Sequence, residues 1–170
     1  MKTEFKDVAH LYLGVEVVNT IGKHMGKIVS VSIDGTATIN PLDEFKPRVI
    51  ILNSLKPILR PLSDITKDEL STLWSIVFTR EFNGVIHKHK ANDTGRGSYA
   101  AERYVMSSGV ERLGVEFDGN IWADSDLSVW RHNKHKITAY LLSKHFDLFD
   151  LIESGEAINK AKLSQNTPNQ

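Results

Sequence analysis

The sequence predicts an α+β fold, and three observations carry that prediction. Gly26-Lys27-Ile28-Val29-Ser30-Val31-Ser32-Ile33 alternates apolar and polar residues and runs straight into Asp34-Gly35, the signature of a strand entering a tight hairpin. Thr66 followed by Glu69 resembles a capping box, and Leu70, Leu73, Trp74 and Val77 then recur at helical spacing. Leu113, Val115 and Phe117 alternate up to Asp118-Gly119-Asn120, after which Ile121-Trp122 can pair back as a second hairpin.

In chain order, Tyr12 to Val17 alternates after Gly14 and reads as the first strand. In the next one Val29, Val31 and Ile33 are expected to face the core, with Ser30 and Ser32 on the wet side. Thr36-Ala37-Thr38-Ile39 returns beside it, and Asn40-Pro41 ends the pairing. Arg48 to Asn53 predicts a further strand, more buried because its apolar run is continuous. The result is a small N-terminal antiparallel sheet or partly open barrel. Pro57 and Pro61 remove donors and push the preceding residues towards extended geometry, so Lys56 to Leu62 reads as a stiff connector. The helix runs from about Thr66 to Thr79 and turns its apolar stripe to the sheet. Val85 to Lys90 predicts a strand, Asn92 to Ser98 an exposed glycine-rich loop, and Tyr99 to Met106 a helix. A C-terminal helical segment from about Ile137 to Leu151 offers Ile137, Tyr140, Leu141, Leu142, Phe146 and Phe149 for burial, and Gly155 ends it. Residues 1–160 are read as one α+β domain, divisible into a β-rich subdomain over residues 1–62 and a mixed one over residues 63–160, with 161–170 a flexible tail.

Composition narrows function mainly by exclusion. Lys plus Arg number 21 and Asp plus Glu 21, so no global basic field exists to attract nucleic acid. The absence of cysteine excludes disulfides, thiolate metal sites and a cysteine nucleophile. Apolar runs such as Val49-Ile50-Ile51-Leu52 are far too short to span a bilayer, and Met1 to Asp7 lacks the apolar core of a signal peptide, so a soluble cytoplasmic protein is expected.

Charge is nevertheless distributed unevenly. Lys88, Lys90, Arg96, Ser98 and Arg103 flank and fill the glycine-rich loop, and Arg131, Lys134 and Lys136 form a second basic stretch. Guanidinium, ammonium, hydroxyl and glycine amides are the donors that phosphate takes, and Tyr99 and Trp130 are the aromatics placed to stack on a base. The acidic stretch Glu111 to Asp126 disfavours a long polyanion and points to a nucleotide or short nucleic acid. His87 and His89 fall on one side of a strand and His132 and His135 on one helical face. The four could meet a metal, but the interleaved lysines and missing carboxylates argue against it. Asp118, Asp124 and Asp126 could gather magnesium near His132 as in some nucleases, although turn formation and solvation account for each. His132-Asn133-Lys134-His135 is too compressed for an HNH nuclease, and no Gly-x-Ser-x-Gly elbow or His-Glu-x-x-His helix occurs. The expectation is a protein that is not an enzyme and holds no cofactor.

Three blocks carry a family resemblance: Lys56-Pro57-Ile58-Leu59-Arg60-Pro61-Leu62-Ser63-Asp64-Ile65-Thr66-Lys67, the opening His10 to Val17, and the closing Lys144 to Ile158. Together they resemble an uncharacterised family of small proteins from Bacteroidota and their phages and prophages. Asp150 stands where that pattern often has glycine, and residues 80–136 lie outside the resemblance. It implies a phage or mobile-element setting and no particular reaction. The blocks also read as scaffold, which directs the search for a site to the central region. The resulting expectation is a non-enzymatic phage or prophage accessory protein that engages a host or phage protein, self-association remaining open. The alternative is a protein that binds or sequesters a nucleotide or nucleic-acid phosphate.

Overall fold

A computed structural model describes residues 3–42, 46–89, 103–117, 121–124 and 127–165, with backbone alone for 127–132 and 164–165. The fold is α+β and comprises two compact units, one made of Met1–Arg60 and His145–Gln170, the other of Pro61–Lys144. The second unit is therefore a continuous insertion in the first.

In the first unit the short helix α1 (Phe5–Val8) precedes strands β1 (Glu16–Asn19), β2 (His24–Val31), β3 (Thr36–Asn40), β4 (Arg48–Ile51) and β5 (Leu55–Leu59). After the insertion come β10 (Ile158–Asn159) and helix α4 (Lys160–Gln165). The strands form one open sheet in the order β10-β5-β1-β2-β3-β4, antiparallel except for the β10–β5 pair. The expected hairpin joins β2 to β3. Gly35 takes φ +81°, and the Asp34 carboxylate accepts from the Thr36 amide at 3.0 Å and hydroxyl at 2.7 Å. Phe5, Tyr12, Val17, Ile28, Ile39, Leu59 and Phe146 are among the buried side chains of this unit.

Several expectations are corrected by the strand pairing. In β2 it is Ile28 that is buried, opposite Ile39, while Val29 and Ile33 are exposed. The pairing with β3 shifts between Ile28 and Ser30, so Val29 is the extra residue of a bulge and the two-residue period breaks there. Ile33 lies beyond the end of the strand. β4 is an exposed edge strand, with Val49 71% and Ile51 64% accessible, because among the described residues it pairs with β3 alone and a continuous apolar run implies burial only in a strand covered on both faces. Leu55–Leu59 is a strand between β1 and β10 rather than a connector. The extended geometry that proline favours is also strand geometry, and pairing with β10 begins at Ile58, one residue past Pro57.

The second unit places helix α2 (Lys67–Phe78) before a meander of β6 (Val85–His89), β7 (Arg103–Ser108), β8 (Glu111–Glu116) and β9 (Ile121–Asp124), and closes with helix α3 (Leu127–Ser143). The capping box forms: Thr66 Oγ1 accepts from the Glu69 amide at 3.2 Å, and Glu69 Oε2 accepts from the Thr66 amide at 2.9 Å. Leu70, Leu73, Trp74 and Val77 are buried as the stripe predicts. At the far end the Asn133 amide of α3 donates to the Val77 carbonyl at 3.2 Å, supplying a donor to a last-turn carbonyl. Arg103–Ser108 is strand, not part of a helix, because partners on both sides override a weak local preference.

The C-terminal helix also differs from expectation. It covers Leu127–Ser143 instead of Ile137 to Leu151, and the chain breaks from it where His145 adopts φ +59°. Phe146 then forms a parallel bridge with Arg60, while Asp147 accepts from the amides of Phe149, Leu151 and Ile152 and stabilises a turn in place of helix. Arg60 donates its amide to the His145 carbonyl, accepts at its own carbonyl from the Asp147 amide, and lays its guanidinium 4.3 Å from the Phe146 ring centre. The points at which the chain leaves and re-enters the first unit thus lie side by side.

His145 yields a pH prediction. Burial is the main force holding its pKa below the ordinary 6.5, with Lys160, Lys27 and Arg60 adding to it and Glu16 opposing. The unfolded chain takes up a proton as pH falls through 6.5 while the folded imidazole stays neutral, so stability is full above 6.5 and declines below it until the folded group titrates. Thermal unfolding between pH 7.5 and pH 5 should therefore show a falling midpoint, with a shallower slope in His145→Asn, whose side chain tolerates the left-handed backbone. Equal slopes in the two proteins would remove His145 as the cause.

Candidate ligand-binding site on the second sheet

Strand register assigns the side chains of the second sheet to two faces. Met106, Leu113 and Val115 occupy one face, fully buried, and form the core of the unit with the α2 stripe and Ile137 and Leu141 of α3. The opposite face carries three rows running across the strands. The first is His87, Val105, Gly114 and Trp122; the second is His89, Arg103 and Glu116; the third is Val85, Ser107, Arg112 and Asp124. A depression of about 400 Å³ opens on this face, lined by His87, His89, Arg103, Val105, Ser107, Arg112 and Trp122 together with Gly109. That volume lies within the range of small-ligand sites.

One buried carboxylate organises the depression. Glu116 is 7% exposed; its Oε1 accepts from Trp122 Nε1 at 3.1 Å and lies 3.7 Å from Arg103 Nη1. A carboxylate so placed requires such partners, because an unpaired buried charge is costly. In return it fixes the indole and the guanidinium. Gly114 completes the seat: the Trp122 ring lies over it, and a Cβ at position 114 would overlap the indole. Arg112 is exposed and forms no ion pair among the described residues. The arrangement provides two guanidiniums and two imidazoles as donors for an anion, beside a supported aromatic surface for a planar ring.

Of the residues singled out in the sequence, His87, His89 and Arg103 come together here, the two imidazole centres 6.1 Å apart. Lys88 lies on the opposite face, its Nζ 5.2 Å from the Phe117 ring centre and 5.8 Å from that of Tyr104. Lys134, His135 and Lys136 are exposed on α3, outside the depression. Lys90, Arg96, Ser98 and Tyr99 lie outside the described residues, as do Asp118 and Asp126. Trp130, Arg131 and His132 belong to the stretch of α3 described by backbone alone. Asp124 is the register partner of Arg112. Among the described residues no group of three or more His, Asp or Glu could hold a metal ion, and no helix is long and apolar enough to cross a membrane.

Sequence reasoning overlooked Arg112 and Glu116, which the structure gathers with Trp122. A signal was present, because the alternation of Leu113, Val115 and Phe117 puts Arg112, Gly114 and Glu116 on the other face. Comparison with family models, with curated proteins and with solved structures finds no match.

Proposed function

We propose that this chain is a non-enzymatic binding protein whose inserted unit takes a phosphate-bearing ligand with a planar ring, of the nucleotide class, on the polar face of its second sheet. The observation that carries the reading is Glu116, a nearly buried carboxylate that holds both the Trp122 indole and the Arg103 guanidinium at the depression. A sheet face that merely meets solvent has no need of such an arrangement. The distribution of the family resemblance supports the same division of labour. Its blocks fall on β1, β5 and the C-terminal return of the first unit and reach only the two ends of the second, whereas residues 80–136 lie wholly within the insertion. This is compatible with a phage accessory protein in which one unit is scaffold and the other recognises the ligand.

The test is calorimetric titration of the full chain with a nucleoside monophosphate and with a short oligothymidylate. Stacking of one base contributes about 1–3 kcal/mol, so Trp122→Ala should weaken binding by roughly 5- to 150-fold. Because Trp122 also donates to the buried Glu116, the variant should lose stability as well, so binding is measured well below its unfolding midpoint. Absence of binding to both ligands, or undiminished binding by the variant, would overturn the reading.

A second reading, docking of a protein partner, draws on one different observation, the apolar edge strand β4 with Val49 and Ile51 exposed. Val49→Lys would abolish capture of such a partner while leaving nucleotide binding unchanged.

A further inference from the structure

The spacing of cations on the second sheet separates two kinds of nucleotide ligand. We infer that the site takes single-stranded nucleic acid laid across the sheet, and not a free mononucleotide; this rests on the phosphate-and-ring reading above. Arg103 is the register partner of Glu116, and Glu116 lies four residues along β8 from Arg112. The two arginine positions are therefore separated by about 13 Å along the strands and by one strand spacing of about 4.8 Å across them. The Trp122 row runs between them.

A base stacked on Trp122 brings one phosphate to one side of the indole. Arg103 is drawn to its own end by Glu116, 3.7 Å away, so the same phosphate does not satisfy Arg112 at the opposite end. Two cations flanking one stacking surface call for a ligand with phosphates on both sides of a base, which is a strand. The depression is bordered by residues from all four strands of the sheet, from His87 on β6 to Trp122 on β9, as a path across the face requires. The accessible part of the Trp122 ring must meet an unpaired base, since in a duplex each base is already covered by its neighbours. Asp124, beside Arg112 in the register, disfavours continuation of the backbone along β9 and limits the footprint to a few nucleotides.

The experiment is fluorescence anisotropy of the full chain with 5′-labelled oligothymidylates from one to eight nucleotides, across a salt series. Affinity should rise at least tenfold from the mononucleotide to a length of a few nucleotides and then level off. Arg103→Ala and Arg112→Ala should each reduce the slope of log affinity against log salt by about 0.7, the contribution of one single-strand phosphate. Arg112 is exposed, so its variant tests the contact without disturbing the core. A mononucleotide that binds as tightly as the octamer would overturn the strand proposal and leave the nucleotide-class reading standing. A duplex of equal length that binds as tightly as the single strand would also overturn it, and no binding to any member of the series would remove both.

Discussion

Trp74→Ala is expected to destabilise the inserted unit by about 3–5 kcal/mol, a large share of the stability of an ordinary domain. Trp74 is fully buried on α2, with its ring centre 4.2 Å from that of Phe78 and 4.9 Å from that of Phe82. Truncation removes the largest side chain of this core and leaves two aromatic rings facing a void. Urea unfolding monitored by circular dichroism measures the loss. Trp74→Phe provides a contrast. The indole Nε1 is buried with no hydrogen-bond partner among the described residues, so replacement by phenyl removes a group whose desolvation costs about 1–3 kcal/mol and offsets part of the lost packing. If Trp74→Phe proves as damaging as Trp74→Ala, packing volume alone governs the site and the orphaned N–H carries no penalty.

Tyr12→Phe should be the most damaging single-atom deletion in the first unit. The Tyr12 hydroxyl donates to the Phe146 carbonyl at 3.1 Å and accepts from the Leu148 amide at 3.3 Å, joining the N-terminal segment to the C-terminal return. Burial raises its pKa strongly, so the group stays a neutral donor through the physiological range. Removing the oxygen leaves a carbonyl and an amide without this partner, at about 1–3 kcal/mol, while the edge-on contact of the ring with Phe149 remains. With a midpoint shift of roughly 4–8 °C per kcal/mol for a unit of this size, scanning calorimetry would resolve the effect. A shift below one degree would show that water replaces the hydroxyl.

The elements of the fold legible in the sequence were those dictated by local chemistry. Asp34-Gly35 specified its turn through positive φ and side-chain acceptance, and Thr66 with Glu69 specified the start of α2, because each requires only residues a few positions apart. Where partners distant in the chain decide, local reading failed. Val29 leaves the core through a bulge against β3, β4 is exposed because it lies at the edge of its sheet, and Arg103–Ser108 is strand because β6 and β8 hold it on both sides. The candidate site was half visible for the same reason. His87, His89 and Arg103 drew attention by residue type, whereas Glu116 and Trp122 acquire their roles only through strand register.

The insertion also makes the entropic cost of folding depend on the order of events. The parallel pairing of β10 with β5, the Arg60–Phe146 bridge and the Tyr12 clasp all join segments that enclose the insertion, a loop of roughly 80 residues. Closing a disordered loop of that length costs about 2.5 kcal/mol more than closing one of about five residues. If the insertion folds first, its ends are already gathered and this entropic cost falls away from the assembly of the first sheet. Stability gained by the inserted unit is thereby passed to the unit around it as a shorter effective chain, and a ligand of the proposed site should also speed refolding of that outer unit.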